Sequence, residues 1–205
     1  MNTIDTIIFD LGGVLIDWNP EYVFLDEFNG DRKKMQWFFD TICTSDWNEN
    51  QDAGYPIAKA TEELIKLHPE YADLIKIYYG RWVEMLGGAI EETVGILEKL
   101  IKTNNYKIVA LTNWSNETFP IALERFEFLH WFEGIVVSGD EKTRKPFKDI
   151  YHITLNRFNI TPEKAIFIDD NLRNVEAANA LGIHGIHFKN PELLIQQLKN
   201  HNIHL

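Results

Sequence analysis

Residues 6–14 read TIIFDLGGV, a short apolar run that ends at the carboxylate of Asp10 and is followed by two glycines. The run is apolar at both alternating positions, which is typical of a parallel β-strand covered by helices on both faces. Four similar runs follow, at residues 107–111, 134–137, 165–168 and 185–188. Amphipathic stretches accompany the later runs, at residues 90–101 and at residues 147–158, the second with Pro146 at its predicted first helical position. This alternation predicts an α/β fold with a doubly wound parallel sheet.

Residues 18–86 interrupt the alternation. They contain no run typical of a strand and hold four of the six tryptophans. Apolar residues recur at helical spacing over residues 71–85, and a second helix is predicted over residues 56–67. The pair Gly87 and Gly88 predicts a turn back to the alternating pattern. Because this insert follows the first strand, it emerges at the carboxyl end of the sheet, where we expect it to act as a lid over a ligand site.

The composition limits the classes of partner. The 205 residues include 20 basic and 31 acidic side chains, so the formal net charge is −11. This balance disfavours nucleic acid and anionic membranes as partners, because both carry charge of the same sign. Cys43 is the sole cysteine, which excludes an internal disulfide and argues against a cysteine-based zinc site. Since Asp5 and Asp10 interrupt the first apolar run, we expect no signal peptide there. We also expect no membrane span. The expected compartment is the cytoplasm, and the expected oligomeric state is a monomer or a homodimer.

Polar side chains cluster directly after the predicted strands. Taken singly, each has an ordinary structural explanation, such as a strand end, a tight turn, a helix cap or a solvated cation. In a parallel sheet, however, the carboxyl ends of the strands meet at one edge. The side chains expected there are Asp10, Thr112, Asn113, Lys142, Lys145, Asp169, Asp170 and Asn174. Three carboxylates suit Mg²⁺, and a hydroxyl with a lysine suits a phosphoryl group, so this edge predicts a phosphoryl-transfer site.

Four short segments resemble, in order, the four motifs of the haloacid dehalogenase superfamily. They lie at residues 9–14, 111–115, 142–146 and 167–171. With a helical insert after the first motif, the arrangement is most similar to the capped small-molecule phosphatase branch, which includes sugar-phosphate phosphatases. The resemblance implies a Rossmann-like catalytic core formed by residues 1–16 and 87–205, with a helical cap domain over residues 17–86. It also implies Mg²⁺-dependent hydrolysis of a small phosphorylated metabolite, a phosphomonoester such as a sugar phosphate.

The first two motifs imply roles for four residues. By the resemblance, Asp10 is the nucleophile, which attacks phosphorus to form an aspartyl-phosphate and also binds the metal. The backbone carbonyl of Gly12 is a further Mg²⁺ ligand. The hydroxyl of Thr112 holds the phosphoryl oxygens, with the amide of Asn113 nearby.

The last two motifs imply the remaining site residues. Lys145 offsets negative charge on the nucleophile and the phosphoryl group. Lys142 is the alternative for this role, although the proline after Lys145 favours Lys145. Asp170 is the principal metal carboxylate, Asp169 is a second ligand or reaches the metal through water, and Asn174 orients these ligands.

Gly12 departs from the family pattern, because most phosphatases of the family carry an aspartate there as general acid and base. Three interpretations follow: an active phosphatase that manages without this group, a catalytically weak or inactive protein that binds a phosphorylated ligand, and a 2-haloacid dehalogenase. The dehalogenase is disfavoured because such relatives use no metal and lack the paired carboxylates of Asp169 and Asp170. General acid–base catalysis contributes around 10²–10⁴-fold, so its loss slows an enzyme without abolishing turnover.

An active phosphatase can tolerate the missing aspartate in two ways. A substrate whose leaving oxygen is a weak base, such as a sugar 1-phosphate or an acyl phosphate, needs less protonation. Alternatively, a carboxylate of the cap or its linker supplies the proton, and the candidates are Asp17, Asp46, Glu49 and Asp52. Trp47 and Trp114 are candidate substrate contacts, although both also suit core packing. Arg144 either assists phosphate binding or is solvated.

Overall fold

Seven β-strands lie within residues 3–205, the part of the chain that the computed structural model describes. They are β1 (Thr6–Phe9), β2 (Ile16–Trp18), β3 (Leu86–Ala89), β4 (Lys107–Thr112), β5 (Ile135–Val137), β6 (Ala165–Asp169) and β7 (His184–His187). Five of them form a parallel sheet in the order β5-β4-β1-β6-β7, whereas β2 pairs antiparallel with β3. The chain places two strands on each side of β1, which confirms the predicted doubly wound α/β fold.

The register of β1 decides which residues meet at the carboxyl edge of the sheet. Phe9 is level with Ala110 of β4 and with Ile168 of β6. Asp10 and Asp169 therefore come directly after that level on neighbouring strands. The backbone N–H of Asp10 donates to the carbonyl of Ile168 at 2.8 Å, which holds the end of β1 against β6.

Helices cover both faces of the sheet. Eleven α-helices lie within the described residues: α1 (Glu21–Glu27), α2 (Arg32–Thr41), α3 (Ser45–Asp52), α4 (Ile57–Leu67), α5 (Ala72–Gly80), α6 (Glu91–Thr103), α7 (Phe119–Arg125), α8 (Ser138–Glu141), α9 (Lys148–Arg157), α10 (Leu172–Ala180) and α11 (Pro191–Asn200). Ile7 and Phe9 pack in one core with α6, α7 and α11, while Ile8 and Phe167 pack in a second core with α9 and α10. Burial on both faces explains why the central strands β1, β4 and β6 carry apolar residues on both faces. None of the helices in residues 3–205 is long and apolar enough to cross a membrane.

Helices α1–α5 all lie between β2 and β3, and we call this segment, residues 19–85, the insert. Its interior is rich in aromatic rings. Phe24 packs against Phe38 and Tyr78 with ring centroids 5.4 and 6.0 Å apart. Because aromatic side chains bury a large apolar area, a few of them can hold five short helices together.

Two strand ends and a pair of glycines differ from the prediction at the ends of the insert. Trp18 ends β2 and Leu86 begins β3, so the segment expected to lack strands contains the ends of two. Gly87 and Gly88, expected to form a turn, lie inside β3. Strands of three and four residues, one of them with two central glycines, show too little side-chain alternation to be recognised from sequence.

Two predicted helices also begin or end elsewhere. The helix expected over residues 71–85 ends as an α-helix at Gly80, and a short 3₁₀ turn, Trp82–Met85, follows it. Helix α9 begins at Lys148, so Pro146 is not its first residue. Pro146 instead lies inside a turn closed by the N–H of Phe147, which donates to the carbonyl of Arg144 at 2.9 Å. The Lys145–Pro146 peptide bond in this turn is cis.

The central position of β1 predicts a large effect of truncating Ile7, whose side chain has no exposed surface. The Ile7→Ala variant should lose about 2–5 kcal/mol of unfolding free energy, because a cavity opens in a packed core. Ile121→Ala is the matched control, since Ile121 on α7 is 37% exposed, and it should change stability by about 0.5 kcal/mol or less. Urea denaturation measures both values. Equal losses in the two variants would contradict the placement of β1 at the centre of the fold.

Candidate active site

Asp10 is held in a fixed position at the carboxyl end of β1. It is buried, and its carboxylate accepts a hydrogen bond from the backbone N–H of Leu11 at 2.7 Å. Thr112, the last residue of β4, is buried at the same edge of the sheet. The parallel pairing of β1 with β4 and β6 therefore brings the first, second and fourth motifs together, as the strand pattern predicts.

Lys145 is the cation of the site. Its side chain is buried, and its Nζ lies 2.8 Å from Oδ1 of Asp10 and 2.7 Å from Oδ2 of Asp169. The same ammonium donates to the carbonyl of Leu111 at 3.0 Å. Lys142, the alternative candidate, is exposed and its Nζ lies 3.4 Å from the carbonyl of Gly54, so Lys145 is the lysine that lies against Asp10.

Asn113 holds the loop that carries Lys145. Its Oδ1 accepts from the backbone N–H of Lys145 at 2.8 Å, and its Nδ2 donates to the carbonyl of Lys145 at 3.0 Å. These two hydrogen bonds join the second motif to the third across 32 residues of sequence. The amide of Asn113 therefore positions the lysine, a contact that sequence spacing did not indicate.

Asp10, Asp169 and Asp170 form a cluster of carboxylates. One oxygen from each lies within 4.8 Å of the others, a separation that suits a shared cation. Asn174 orients Asp169 by donating to both of its carboxylate oxygens, at 3.1 and 3.2 Å. Gly13 lies so close to the carboxylate of Asp170 that a Cβ at that position would overlap it. The second glycine of the first motif is therefore needed for the approach of Asp170.

The electrostatics of the cluster favour a divalent cation. Burial raises the pKa of Asp10 well above its usual value; Lys145 opposes the shift, whereas Asp169 and Asp170 reinforce it. The pKa of Asp170 is also raised, mainly by burial and then by Asp169. Burial lowers the pKa of Lys145, but Asp10 and Asp169 raise it more, so its ammonium stays charged. One lysine thus leaves the three carboxylates undercompensated, and a hard cation with oxygen ligands fits the donor set.

A cleft of about 370 Å³ opens above these residues, between the sheet edge and the insert. From the sheet edge it is lined by Asp10, Lys145 and Asp170, and from the insert by Glu49 and Asp52, among others. A smaller cavity of about 100 Å³ borders the same region. It is lined by Gly12, Trp18, Asn48, Asp52, Tyr79, Trp82, Asn113, Trp114, Ser115 and Thr118.

The two tryptophans proposed as substrate contacts lie in different places. Trp114 lines the smaller cavity beside Gly12. Trp47 packs against Tyr78 and Tyr79 inside the insert, and its indole Nε1 is 3.4 Å from the carbonyl of Ala60. The structure therefore places Trp114 at the smaller cavity, whereas Trp47 lines neither this cavity nor the cleft above Asp10.

An ion-pair cluster joins the insert to the sheet edge. Glu49 on α3 lies 2.6 Å from Arg144, in the loop of Lys145, and 2.6 Å from Arg173 on α10. Arg144 was expected to bind phosphate or to be solvated, but its side chain is largely buried against Glu49. The role of Arg173 was missed. No sequence signal marks this contact, because Arg173 and Glu49 are 124 residues apart and both lie outside the four motifs.

The burial of Lys145 between two carboxylates predicts a strong effect of its removal on stability. In metal-free buffer, Lys145→Met should lower the unfolding free energy by about 3–5 kcal/mol, because it leaves buried carboxylates without their cation. The matched control, Lys142→Met, removes an exposed lysine and should change stability by about 0.5 kcal/mol or less. Urea denaturation of both variants tests this difference. Wild-type stability of Lys145→Met would show that the lysine does not compensate the cluster.

Comparisons with known proteins agree with this geometry. Residues 7–188 match the sequence model of the haloacid dehalogenase-like hydrolases. A phosphorylated carbohydrates phosphatase of Thermotoga maritima is 25% identical over 90% of this chain and 84% of its own length. A sesquiterpene phosphatase of Aspergillus oryzae is 28% identical over 90% of each chain. In fold, the protein is similar to an enzyme of the same family from Bacteroides thetaiotaomicron in complex with magnesium and inorganic phosphate, with a TM-score of 0.68 and 20% identity over 91% of this chain and 94% of that one. Since the family match spans nearly all of the sheet and the insert, this chain belongs to the haloacid dehalogenase-like hydrolases.

Proposed function

We propose that this hydrolase is a Mg²⁺-dependent phosphatase that cleaves a small phosphomonoester through an aspartyl-phosphate on Asp10. One observation carries the proposal: the Asp10 carboxylate is in contact with a buried lysine and shares a carboxylate cluster with Asp169 and Asp170. A nucleophilic carboxylate divides a difficult hydrolysis into two easier displacements. The two relatives named as phosphatases support the same reaction class.

The reaction has two displacements at phosphorus. In the first, an oxygen of Asp10 attacks phosphorus as the bond to the leaving oxygen breaks, and the leaving oxygen takes a proton. In the second, a water attacks the phosphorus of the aspartyl-phosphate and loses a proton. The bond from phosphorus to Asp10 then breaks, which releases inorganic phosphate and restores the carboxylate.

The residues that would hold Mg²⁺ are Asp10 and Asp170, with the backbone carbonyl of Gly12. Asp169 already accepts from Lys145 and Asn174, so a contact through water suits it better than a direct bond. The bound cation would offset the charge between the nucleophile and the phosphoryl group, as Mg²⁺ does in phosphoryl-transfer sites generally. The protein supplies the fixed positions of these oxygens.

Lys145 and Thr112 would bind the phosphoryl oxygens. Lys145 is held by three acceptors, which preorganise its ammonium beside Asp10. Because an ammonium has three N–H donors, the one that faces Asp10 would turn to a phosphoryl oxygen when substrate binds. Asn113 contributes by holding the Lys145 loop. In the same way Asn174 acts through Asp169, whose orientation it maintains.

Residues 17–86 would act as a cap domain over a catalytic core formed by residues 1–16 and 87–205. The ion pairs of Glu49 with Arg144 and Arg173 support a closed arrangement over Asp10. A hydrogen bond from the hydroxyl of Ser138 to the backbone carbonyl of Asp52 also supports this closed arrangement. A closed cap excludes water from the first displacement and strengthens the electrostatic contacts in the cleft.

The lining of the smaller cavity favours a sugar phosphate as substrate. Trp18, Trp82 and Trp114 offer aromatic faces, and the side chains of Asn48 and Asp52 offer polar atoms. The indole N–H of Trp18 is buried and has no hydrogen-bond partner within the described residues, so it could donate to a substrate hydroxyl. Small polyhydroxylated groups match this mixture of aromatic surface and hydrogen-bonding groups, and one relative is named for phosphorylated carbohydrates. We propose a sugar phosphate as the substrate; a sugar 1-phosphate is the form expected if no other group replaces the aspartate absent from position 12.

A second function is supported by Gly12 itself. Without the usual aspartate, the protein would bind a phosphorylated ligand but turn it over weakly or not at all. The contact of Asp10 with Lys145 and its carboxylate cluster with Asp170 support the active enzyme. Phosphate release from a panel of phosphorylated metabolites distinguishes the two functions.

The proposed nucleophile predicts the outcome of one substitution. Asp10→Asn should lower phosphate release from any substrate of the wild-type enzyme by about 10³-fold or more, because an amide oxygen cannot replace the attacking carboxylate. Phosphate release in excess Mg²⁺ measures the loss. Asp149→Asn is the control, since it makes the same change on an exposed residue of α9 and should leave the rate unchanged.

Removal of the metal belongs to the same experiment. Chelation with EDTA should stop phosphate release by the wild-type protein, and added Mg²⁺ should restore it. Turnover by Asp10→Asn at the wild-type rate would refute the proposed nucleophile. Halide release from a 2-haloacid that persists in EDTA would instead identify a dehalogenase.

A further inference from the structure

The space next to Gly12, where most relatives carry the aspartate that acts as acid and base, is open. Apart from its chain neighbours, a Cβ built on Gly12 would meet no atom within 4 Å, so the space where a side chain would begin at this position is open. Gly12 and Asp52 line the same small cavity. A group reaching this space from the insert therefore faces the region where a leaving oxygen would lie.

Asp52 is anchored beside that space. It is the last residue of α3 and lines both the cleft that contains Asp10 and the smaller cavity beside Gly12. Its backbone carbonyl accepts from the hydroxyl of Ser138, whose oxygen in turn accepts from the N–H of Trp114 at 2.9 Å. These contacts tie Asp52 to the segment that follows Thr112, so its position is coupled to the phosphate-binding edge.

The other acidic candidates of the insert and its linker either line neither cavity or are already ion-paired. Glu49 lines the cleft, but both of its carboxylate oxygens are ion-paired, one with Arg144 and the other with Arg173. Asp17 accepts from the hydroxyl of Tyr22 and lines neither cavity. Asp46 is exposed and lines neither cavity.

Asp52 differs from these residues in its environment. Its carboxylate accepts from Nδ2 of Asn48 at 3.2 Å, and it forms no ion pair within residues 3–205. A carboxyl group that is desolvated without being neutralised by a cation can exchange a proton near neutral pH.

We propose that Asp52 is the general acid and base of this phosphatase, in place of the aspartate absent from position 12. The proposal rests on the function proposed above. In the first displacement, the Asp52 carboxyl gives its proton to the leaving oxygen as the bond from phosphorus to that oxygen breaks. In the second, the Asp52 carboxylate takes a proton from the attacking water as the bond from phosphorus to Asp10 breaks. Asp52 is then protonated again, as at the start of the cycle.

The electrostatic surroundings of Asp52 suit both roles. Burial raises its pKa to about 7, with Glu49 adding to the shift, while Arg144, the backbone N–H of Ser115 and Lys145 lower it. Tyr78 and Tyr79 also face this carboxylate, and burial raises the pKa of both phenols, so they stay neutral. A group whose pKa lies near the working pH can donate and accept protons efficiently.

The experiment compares two leaving groups. The wild-type enzyme and Asp52→Asn are assayed with a sugar phosphate of a primary alcohol and with para-nitrophenyl phosphate, whose leaving group departs without a proton. For the sugar phosphate, Asp52→Asn should lower kcat by about 10²-fold or more. For para-nitrophenyl phosphate, the first turnover should keep a rate within about tenfold of the wild type. It should appear as a burst of nitrophenolate, because breakdown of the aspartyl-phosphate then lacks its base.

A matched control and a stability measurement keep the result interpretable. Asp46→Asn makes the same change on the same helix, α3, and should leave the rates with both substrates unchanged. Urea denaturation checks that Asp52→Asn is folded. Equal losses for both substrates without a burst, or wild-type rates for both, would overturn the proposal. Failure of the proposed function is separately visible, because Asp10→Asn would then hydrolyse para-nitrophenyl phosphate as fast as the wild type.

Discussion

The contact of the Lys145 ammonium with Asp10 and Asp169 is the constraint on which the site depends. A buried lysine between two carboxylates is costly unless every partner is in place, because each charge has left water. Here the partners come from three strands or the loops that follow them, and the loop of Lys145 is itself held by Asn113. The packing of the strand ends and the contacts of this charged cluster are therefore linked. A change that moves one strand end also changes the charge balance around Asp10.

The insert completes what the sheet edge begins. The sheet supplies Asp10, the carboxylate cluster and Lys145, all in positions fixed by strand pairing. The insert supplies Glu49, which is held by two arginines of the sheet side, and Asp52, which lines the same cleft. In the proposed mechanism, the sheet edge supplies the nucleophile and the lysine, and the insert supplies the acid and base.

The parallel sheet and the meeting of the motifs at its edge could be predicted from sequence, because both follow from local patterns. Strands such as β1 carry apolar residues on both faces, and polar residues at the carboxyl ends of parallel strands must share an edge. The resemblance of the motifs then indicated Lys145 rather than Lys142, and the geometry agrees. Contacts between distant loops could not be predicted in this way. The hydrogen bonds of Asn113 to the backbone of Lys145 and the ion pair of Glu49 with Arg173 depend on tertiary packing. Trp47 illustrates the same limit, since an aromatic residue in a helical insert can face a ligand or a core, and here it packs against Tyr78 and Tyr79.

A crystal structure of the enzyme grown with Mg²⁺ and beryllium fluoride would test most directly whether Asp10, Asp170 and Lys145 act together on one phosphoryl group. The account predicts a fluoroberyllate group bonded to a carboxylate oxygen of Asp10, with Mg²⁺ ligated by Asp10 and Asp170 and the ammonium of Lys145 against the fluorides. A cation bound elsewhere, or a fluoroberyllate group that does not contact Asp10, would contradict it.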